Sequence, residues 1–188
     1  TQSSTLFPYT TLFRSRSASI HATDLGDAGL AELAERAVAM ARAAPEDPYA
    51  GPAPEELLTR GPFPALDLED TAEPSPQQLR AMAEEAEDAA RAVAGVTNSE
   101  GGGAGFGRSV VALATSHGFS GGYAATSHSV SASVVAGTGS GMQRDYAWRQ
   151  ARHAADLIAP AEIGRLAGER AVARLEPGRL PSKVMPVV

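Results

Sequence analysis

The stretch SHSVSASVVAG, Ser127 to Gly137, decides the fold of this 188-residue chain. From Ser129 to Val134 a serine alternates with an apolar residue at every step. Successive side chains of a β-strand point to opposite faces, so this alternation predicts a half-buried strand. Val130, Ala132 and Val134 are expected to face a core, and the serines to face solvent or a partner.

Two further strands are predicted along the chain, one before this stretch and one after it. Ser109 to Ala114 is rich in Val and Leu, and the segment Met142 to His153 places its Met, Tyr146 and Trp148 on one parity. The intervening GTGSG, Gly137 to Gly141, supplies residues that tolerate positive φ and therefore suits a turn. The three segments together predict an antiparallel β-meander.

Apolar residues at helical spacing predict three amphipathic helices. The first has Asp24 and Asp27 as possible caps and stops at Pro45. The second opens at Ser75-Pro76-Gln77-Gln78, where Ser75 and Gln78 can form a capping box, and the last runs from Pro160 to about Glu176. The apolar positions are Leu30, Leu33, Ala34, Ala37, Val38 and Ala41, then Leu79, Met82, Ala83, Ala86, Ala90 and Val93, then Ile163, Leu166, Ala167, Val172 and Leu175.

The remaining segments complete an α+β fold, in which an antiparallel β-meander is flanked by amphipathic helices. RSASIHAT, Arg16 to Thr23, alternates and predicts an edge or terminal strand. Between Pro45 and Pro76 the chain is rich in Pro, Gly and acidic residues, which predicts a linker with one short helical turn at Glu55 to Leu58.

The sequence SHGFSGGY, Ser116 to Tyr123, contains the G-x-S-x-G pattern of a nucleophile elbow at Ser120. His117 or His128 would be the base and Asp145 the orienting acid. Such an elbow requires a strand, a sharp turn carrying the serine, and then a helix. The residues after Gly122 alternate like a strand, so we interpret the motif as a hairpin connection and not as a catalytic serine.

Metal, cofactor and carboxylate sites are not indicated either. His21, His117, His128 and His153 form no H-E-x-x-H or related helical pair, so no metal ligands are predicted. GGGAGFG, Gly101 to Gly107, lacks the spacing of a dinucleotide fingerprint. The acidic face of the second helix is interpreted as a solvated face of an amphipathic helix; it comprises Glu84, Glu85, Glu87 and Asp88.

Charge and composition limit the partners and the compartment. The net charge of −6 is spread over interspersed acids and bases without a basic stripe, which argues against direct nucleic-acid binding. No apolar run reaches the roughly 18 residues needed to cross a bilayer. The chain has no cysteine, so a reducing compartment such as the cytoplasm is expected.

Both ends of the chain look foreign or incomplete. TLFPYTTLFRS, Thr5 to Ser15, resembles a translated sequencing-library adapter, and residues 1–15 are therefore interpreted as non-native. The chain starts without Met, and Pro186-Val187-Val188 is expected to open a further strand. We expect a piece of this kind to be marginally stable or self-associating when produced alone, because unpaired strand edges would be exposed.

Six ordered segments of the chain resemble the PmbA/TldE half of the TldD/PmbA family. They are VTNSEG at 96–101, SHGFSGGY at 116–123, TSHSVSASVVAG at 126–137, MQRDYAW at 142–148, ARHAADL at 151–157 and IGRLAGERAVARLEPGRLPS at 163–182. The resemblance extends back through SASIHATDL and DPYAG, and so covers nearly everything after Ser15. It implies the end of a first portion at 16–70, a middle portion at 71–181, and the start of a third at 182–188.

The resemblance implies a cytoplasmic subunit of a TldD/TldE heterodimer, a metallopeptidase that processes or degrades flexible peptides. Zinc is expected on the TldD-type partner, at an HExxxH helix that this chain does not contain. No catalytic, cofactor-binding or metal-binding residue can be carried over to this chain. Its strands would help to wall a chamber that holds an extended peptide by main-chain hydrogen bonds.

A non-enzymatic module for protein binding or assembly, such as a contact with DNA gyrase, is the alternative. The serines Ser129, Ser131 and Ser133 would then form a sheet surface that faces a partner. A solvated sheet face, which half-buried antiparallel sheets normally have, explains the same serines.

Overall fold

The computed structural model describes residues 9–13, 15–24, 26–51, 53–178, 182–184 and 186. The chain divides into two compact units, residues 1–63 and 64–188. Most of the strand expected to open at Pro186-Val187-Val188 lies outside the described residues, which include only the first of these three. The domain boundaries and the foreign origin of residues 1–15 stay predictions.

The first unit consists of a β-hairpin and one helix packed on it. Its elements are β1, Tyr9–Phe13, antiparallel to β2, Arg16–Ile20, and α1, Asp27–Ala43, which contacts both strands. α1 buries Leu33, Ala37 and Ala41, which recur every four residues and so lie on one face. β1 falls in the adapter-like segment, whose Thr and aromatic residues suit a strand whatever their origin. The turn predicted after Pro45 is confirmed as a short 3-10 turn at Glu55–Leu57.

The start of α1 differs from the prediction that Asp24 or Asp27 caps it. The N-cap is Gly26, and no side chain caps the helix there. Asp24 Oδ1 instead accepts a hydrogen bond from the Gly26 backbone N–H over 2.9 Å, before the helix begins. Asp27 lies in the first turn, where its charge is favourable at the positive end of the helix dipole.

The second unit contains the predicted three-stranded antiparallel meander. Its strands are β3, Val96–Ala114, β4, Ser120–Ala136, and β5, Gln143–Ala151, in the order β3-β4-β5. Val130 of the central strand pairs with Ala104 on β3 and Arg149 on β5. Val130, Ala132 and Val134 are buried, as the alternation predicts.

β3 is much longer than the predicted Ser109 to Ala114, because it begins at Val96 and includes the glycine-rich run. Packing against a helix requires one of these glycines, Gly102. A Cβ added to Gly102 would lie 2.1 Å from the carbonyl oxygen of Ala83 in the helix above. The run was not recognised as a strand because residues without side chains give no hydrophobic alternation.

Two helices, α2, Pro76–Arg91, and α3, Pro160–Ala173, cover one face of the sheet. The predicted capping box of α2 is confirmed: Ser75 Oγ accepts from the Gln78 N–H, and the Gln78 side chain accepts from the Ser75 N–H. The α+β class is therefore confirmed. Within the described ranges no helix combines the length and apolarity needed to cross a membrane.

The two helices approach each other closely because small residues face each other. A Cβ on Gly164 would lie 1.9 Å from the Ala86 carbonyl oxygen, and one on Gly168 would lie 2.6 Å from the Val93 side chain. Ile163 is fully buried beside this contact. The opposite face of the sheet carries no helix among the described residues of this unit.

Candidate functional site

Ser120 lies at the first position of β4, opposite Ala114 on β3, and its side chain is exposed. The connection before it is a tight turn, in which the Thr115 N–H donates to the Phe119 carbonyl over 2.9 Å. His117 is exposed in this turn. A strand follows Ser120, so the arrangement differs from that of a nucleophile elbow.

The other members of the hypothetical triad are engaged elsewhere. Asp145 on β5 pairs with Arg174 at 3.1 Å and accepts from the Tyr146 backbone N–H. This backbone hydrogen bond, followed by the Arg174 guanidinium, holds the pKa of Asp145 below its usual value. His128 is buried on β4 and packs against the Phe106 ring, with the centroids 5.0 Å apart.

In the described part of the chain, no three His, Cys, Asp or Glu residues are grouped suitably for a metal ion. His128 Nε2 lies 3.2 Å from Asp70 Oδ2, although the pair lacks hydrogen-bond alignment. His21 is exposed in the first unit.

A buried polar cluster, which the sequence analysis missed, ties the segment before α2 to the sheet. Thr126 donates its N–H to the Leu68 carbonyl, and its Oγ1 accepts from the Asp70 N–H at 2.8 Å. The same Oγ1 donates to the Arg152 carbonyl at 2.7 Å. Thr126 is 1% exposed, so each of these polar atoms is satisfied within the protein.

Asp70 and His153 complete this Thr126 cluster. The Asp70 carboxylate accepts from the backbone N–H groups of Ala154 and Ala72, which lower the pKa of Asp70 below its usual 3.8. His153 Nε2 lies 2.9 Å from the Asp67 carbonyl oxygen. This hydrogen bond raises the pKa of His153 above its usual 6.5, and nearby carboxylates act in the same direction. The sequence contained one signal for this cluster. His128 lies two residues before Val130 and therefore on the core face of the predicted strand, where a histidine needs a polar partner.

The face of the sheet opposite the helices is built from three rows of residues. Directly opposed residues share a face, as in the sets Gly103, Ser131 and Trp148, and Gly101, Ser133 and Tyr146. We call this surface the open face. The glycine and serine rows give it a low floor, and the aromatic row borders that floor along β5.

A groove of about 410 Å³ lies on the open face. Glu100 spans it by accepting from the Ser133 hydroxyl at 2.7 Å and from Arg144 at 3.3 Å. The Ser133 hydrogen bond is the main cause that lowers the pKa of Glu100. Tyr146 and Trp148 remain 57% and 52% exposed. Large exposed aromatic side chains beside a small-residue floor are typical of a surface that contacts another chain.

A family profile described as "PmbA/TldA metallopeptidase central domain" matches residues 69–175, which include the open face and most of the Thr126 cluster. The chain belongs to the TldD/PmbA family. The match covers more than half of the chain, from the residue before Asp70 to just beyond the end of α3.

Two curated TldD/PmbA relatives match nearly the whole chain. "Metalloprotease PmbA" of Escherichia coli O157:H7 is 37% identical over 180 residues, which are 95% of this chain and 40% of that protein. "Metalloprotease PmbA homolog" of Haemophilus influenzae is 28% identical over 167 residues, which are 88% and 37%. The chain thus spans about two fifths of the length of these relatives.

Solved structures show the same fold at lower sequence identity. A proposed modulator of DNA gyrase from Bacteroides thetaiotaomicron has a TM-score of 0.77 at 23% identity, over 91% of this chain and 40% of that one. TldE from Thermococcus kodakarensis has a TM-score of 0.56 at 21% identity, over 88% and 36%. At these identities the likeness is one of fold.

Proposed function

We propose that the chain is a non-catalytic scaffold segment of a PmbA/TldE-like subunit, which acts with a TldD-like subunit in a cytoplasmic zinc metallopeptidase of flexible peptides. The observation that carries the proposal is the family match at residues 69–175, which spans the sheet with its open face. The metalloprotease name of the E. coli relative at 37% identity supports the peptidase class. The name TldE of a structural neighbour supports the subunit type.

In this proposal the chain binds and orients, and another chain holds the metal. The described residues offer no suitable ligand set, so no catalytic step is assigned to them. Zinc, when bound by a TldD-like partner, would activate water for attack on a peptide bond. The open face would contact that partner or the peptide, with Tyr146 and Trp148 as its aromatic border.

The test is co-purification of the full-length protein with a TldD-like subunit, followed by a zinc-dependent assay on an unstructured peptide. Ser131→Arg would place a long charged side chain on the floor of the open face. We expect it to reduce complex formation or peptide cleavage by about tenfold or more, as loss of a central interface contact does. Ser140→Arg, the same change at an exposed turn residue, is the control and is expected to have no effect. Failure of the native protein either to bind the TldD-like subunit or to raise its activity would refute the proposal.

A protein-binding module without peptidase function is the second candidate. The solved neighbour from Bacteroides is named for gyrase modulation, which favours a protein contact as the role of its fold. The same variants separate the candidates. Loss of binding to a gyrase subunit in Ser131→Arg, with zinc-dependent cleavage unchanged, would support the binding module.

A further inference from the structure

A second groove, of about 710 Å³, follows the outer edge of β5 and shares Tyr146 with the groove on the open face. We call it the β5-edge groove. β5 ends the order β3-β4-β5, so one side of its backbone has no strand partner among the described residues. The groove is lined by two aromatic residues of β5 and by arginines from two elements. The arginines are Arg149 on β5, Arg152 just after β5, Arg170 on α3, and Arg174 just after α3.

These arginines give the groove a surplus of positive charge. Arg174 is neutralised by Asp145 at 3.1 Å. The other three guanidinium groups donate to backbone carbonyls: Arg149 to Trp148, Arg170 to Tyr146 and Arg152 to Thr126. Among the described residues none of these three lies within ion-pair distance of a carboxylate. The surplus is local, since the whole chain carries a net charge of −6.

The backbone N–H and C=O groups of every second residue of β5 point into this groove. The carbonyls of Tyr146 and Trp148 accept hydrogen bonds from arginine side chains on the outer side. The N–H and C=O of one residue in an antiparallel strand point to the same side, and alternate residues share that side. The outward backbone groups therefore belong to Tyr146, Trp148 and Gln150, which is the spacing that an added strand requires. The Tyr146 N–H donates to the Asp145 side chain, so an added strand would replace that bond as well as the arginine bonds.

We infer that the β5-edge groove binds an extended, carboxylate-rich peptide segment as an added strand. The outward backbone groups of β5 would pair with the peptide backbone. Arg149, Arg152 and Arg170 would exchange their backbone carbonyl partners for peptide carboxylates, because charge-assisted guanidinium–carboxylate bonds are stronger than bonds to neutral carbonyls.

A peptide fits the groove better than a nucleic acid does. The Asp145–Arg174 pair leaves part of the groove without net positive charge, so a continuous phosphate backbone would lack a partner there. A peptide can place its carboxylates only beside the other three arginines. The inference rests on the proposed peptide-handling role for its biological purpose. Binding is measured without zinc, a TldD-like subunit or cleavage, so the two proposals can fail separately.

The experiment is fluorescence anisotropy of the protein with a labelled peptide of alternating Glu and Thr. A peptide with Lys in place of Glu is the first control. We expect the Glu peptide to bind, the Lys peptide not to bind, and the affinity to fall as salt is raised. The double variant Arg149→Gln, Arg170→Gln is expected to lose about tenfold or more in affinity, since it removes two charge pairs. Arg165→Gln, on the same helix α3 but paired with Glu169 outside the groove, should bind like the native protein.

Four results would overturn the inference. One is equal binding of the Glu and Lys peptides, and another is unchanged affinity in the double variant when circular dichroism shows it to be folded. The third is a single-stranded oligonucleotide that binds as tightly as the Glu peptide and with the same dependence on Arg149 and Arg170. A Glu peptide with N-methylated backbone amides tests strand addition, because it retains the charges but loses alternate hydrogen bonds. Undiminished binding of that peptide would refute pairing with β5.

Discussion

At the scale of single residues, Thr126 joins three segments of the second unit through one side chain and one backbone N–H. Its Oγ1 accepts from the Asp70 N–H and donates to the Arg152 carbonyl, and its N–H donates to Leu68. His153 adds a contact with Asp67, whose φ of +47° is unusual for a residue with a side chain. Side-chain hydrogen bonds of this kind hold the acidic segment against the sheet edge.

His153 makes the stability of this cluster depend on pH. Its pKa is raised above 6.5 in the folded state, first by the hydrogen bond with the Asp67 carbonyl. Its contribution to folding is therefore fully present below the unfolded-state pKa and is lost as the pH rises through the folded-state pKa. In thermal melts from acid to alkaline pH, the stability advantage of the native protein over His153→Gln should shrink across the range just above pH 6.5.

A matched control isolates this effect. His117→Gln changes a histidine in an exposed hairpin turn and should leave the pH profile of the native protein intact. Parallel profiles of the native protein and His153→Gln would contradict the assignment. Asp70 acts in the opposite range: its lowered pKa gives a contribution that is present above 3.8 and lost in stronger acid.

At the scale of elements, the glycines of β3 have two different roles according to the face on which they lie. Gly102 faces α2, where the Ala83 carbonyl leaves no room for a side chain. Gly107, in the same strand, has nothing within 4 Å of an added Cβ. The spacing between sheet and helix is thus set at particular glycines and not by the run as a whole.

Gly102→Ala should consequently destabilise the second unit by about 3 kcal/mol, because α2 must move away from the sheet to admit the methyl group. Gly107→Ala should change stability by no more than about 1 kcal/mol, because its methyl group enters open space. Urea denaturation followed by circular dichroism measures both. Equal effects of the two substitutions would show that the approach of α2 to β3 is not limiting.

Elements that depend on local sequence patterns could be predicted, whereas those that depend on contacts with distant residues could not. Serine and valine alternation predicted the core of β4, and capping residues predicted the start of α2. The first half of β3 is not predicted from the sequence, because its glycines show no alternation of polar and apolar side chains. Gly102 is required by the Ala83 carbonyl, which belongs to a helix earlier in the chain. Gly164 and Gly168 escaped for the same reason, since the partner helix makes them necessary.

At the scale of the whole molecule, the chain passes from the first compact unit, residues 1–63, to the second, residues 64–188, through a largely exposed segment. Arg60 is the only Lys or Arg between Arg42 and Arg80, and its side chain is 69% exposed despite an ion pair with Glu55. Arginines in α2 and β3 instead lie in backbone that is hydrogen-bonded as helix or strand. Proteases act preferentially on exposed segments with few backbone hydrogen bonds.

Limited trypsin digestion should therefore make its first internal cut after Arg60 and release a resistant fragment that begins at Gly61. Intact mass spectrometry identifies the product. Arg60→Gln should abolish this cut, because it removes the only trypsin site between Arg42 and Arg80, while leaving trimming near the chain ends unchanged. A first internal cut within α2 or β3 would show that the second unit opens before the connection is cleaved.

The sequence by itself determined the fold class, the three helices, the meander and membership of the TldD/PmbA family, because these depend on local periodicity, capping residues and ordered motifs. Only the tertiary structure decided the length of β3 and the partners of Thr126 and His128. It also created the open face and the β5-edge groove. These features join residues distant along the chain, such as Asp70 with Ala154 and Arg170 with Tyr146, and no local pattern encodes such pairings.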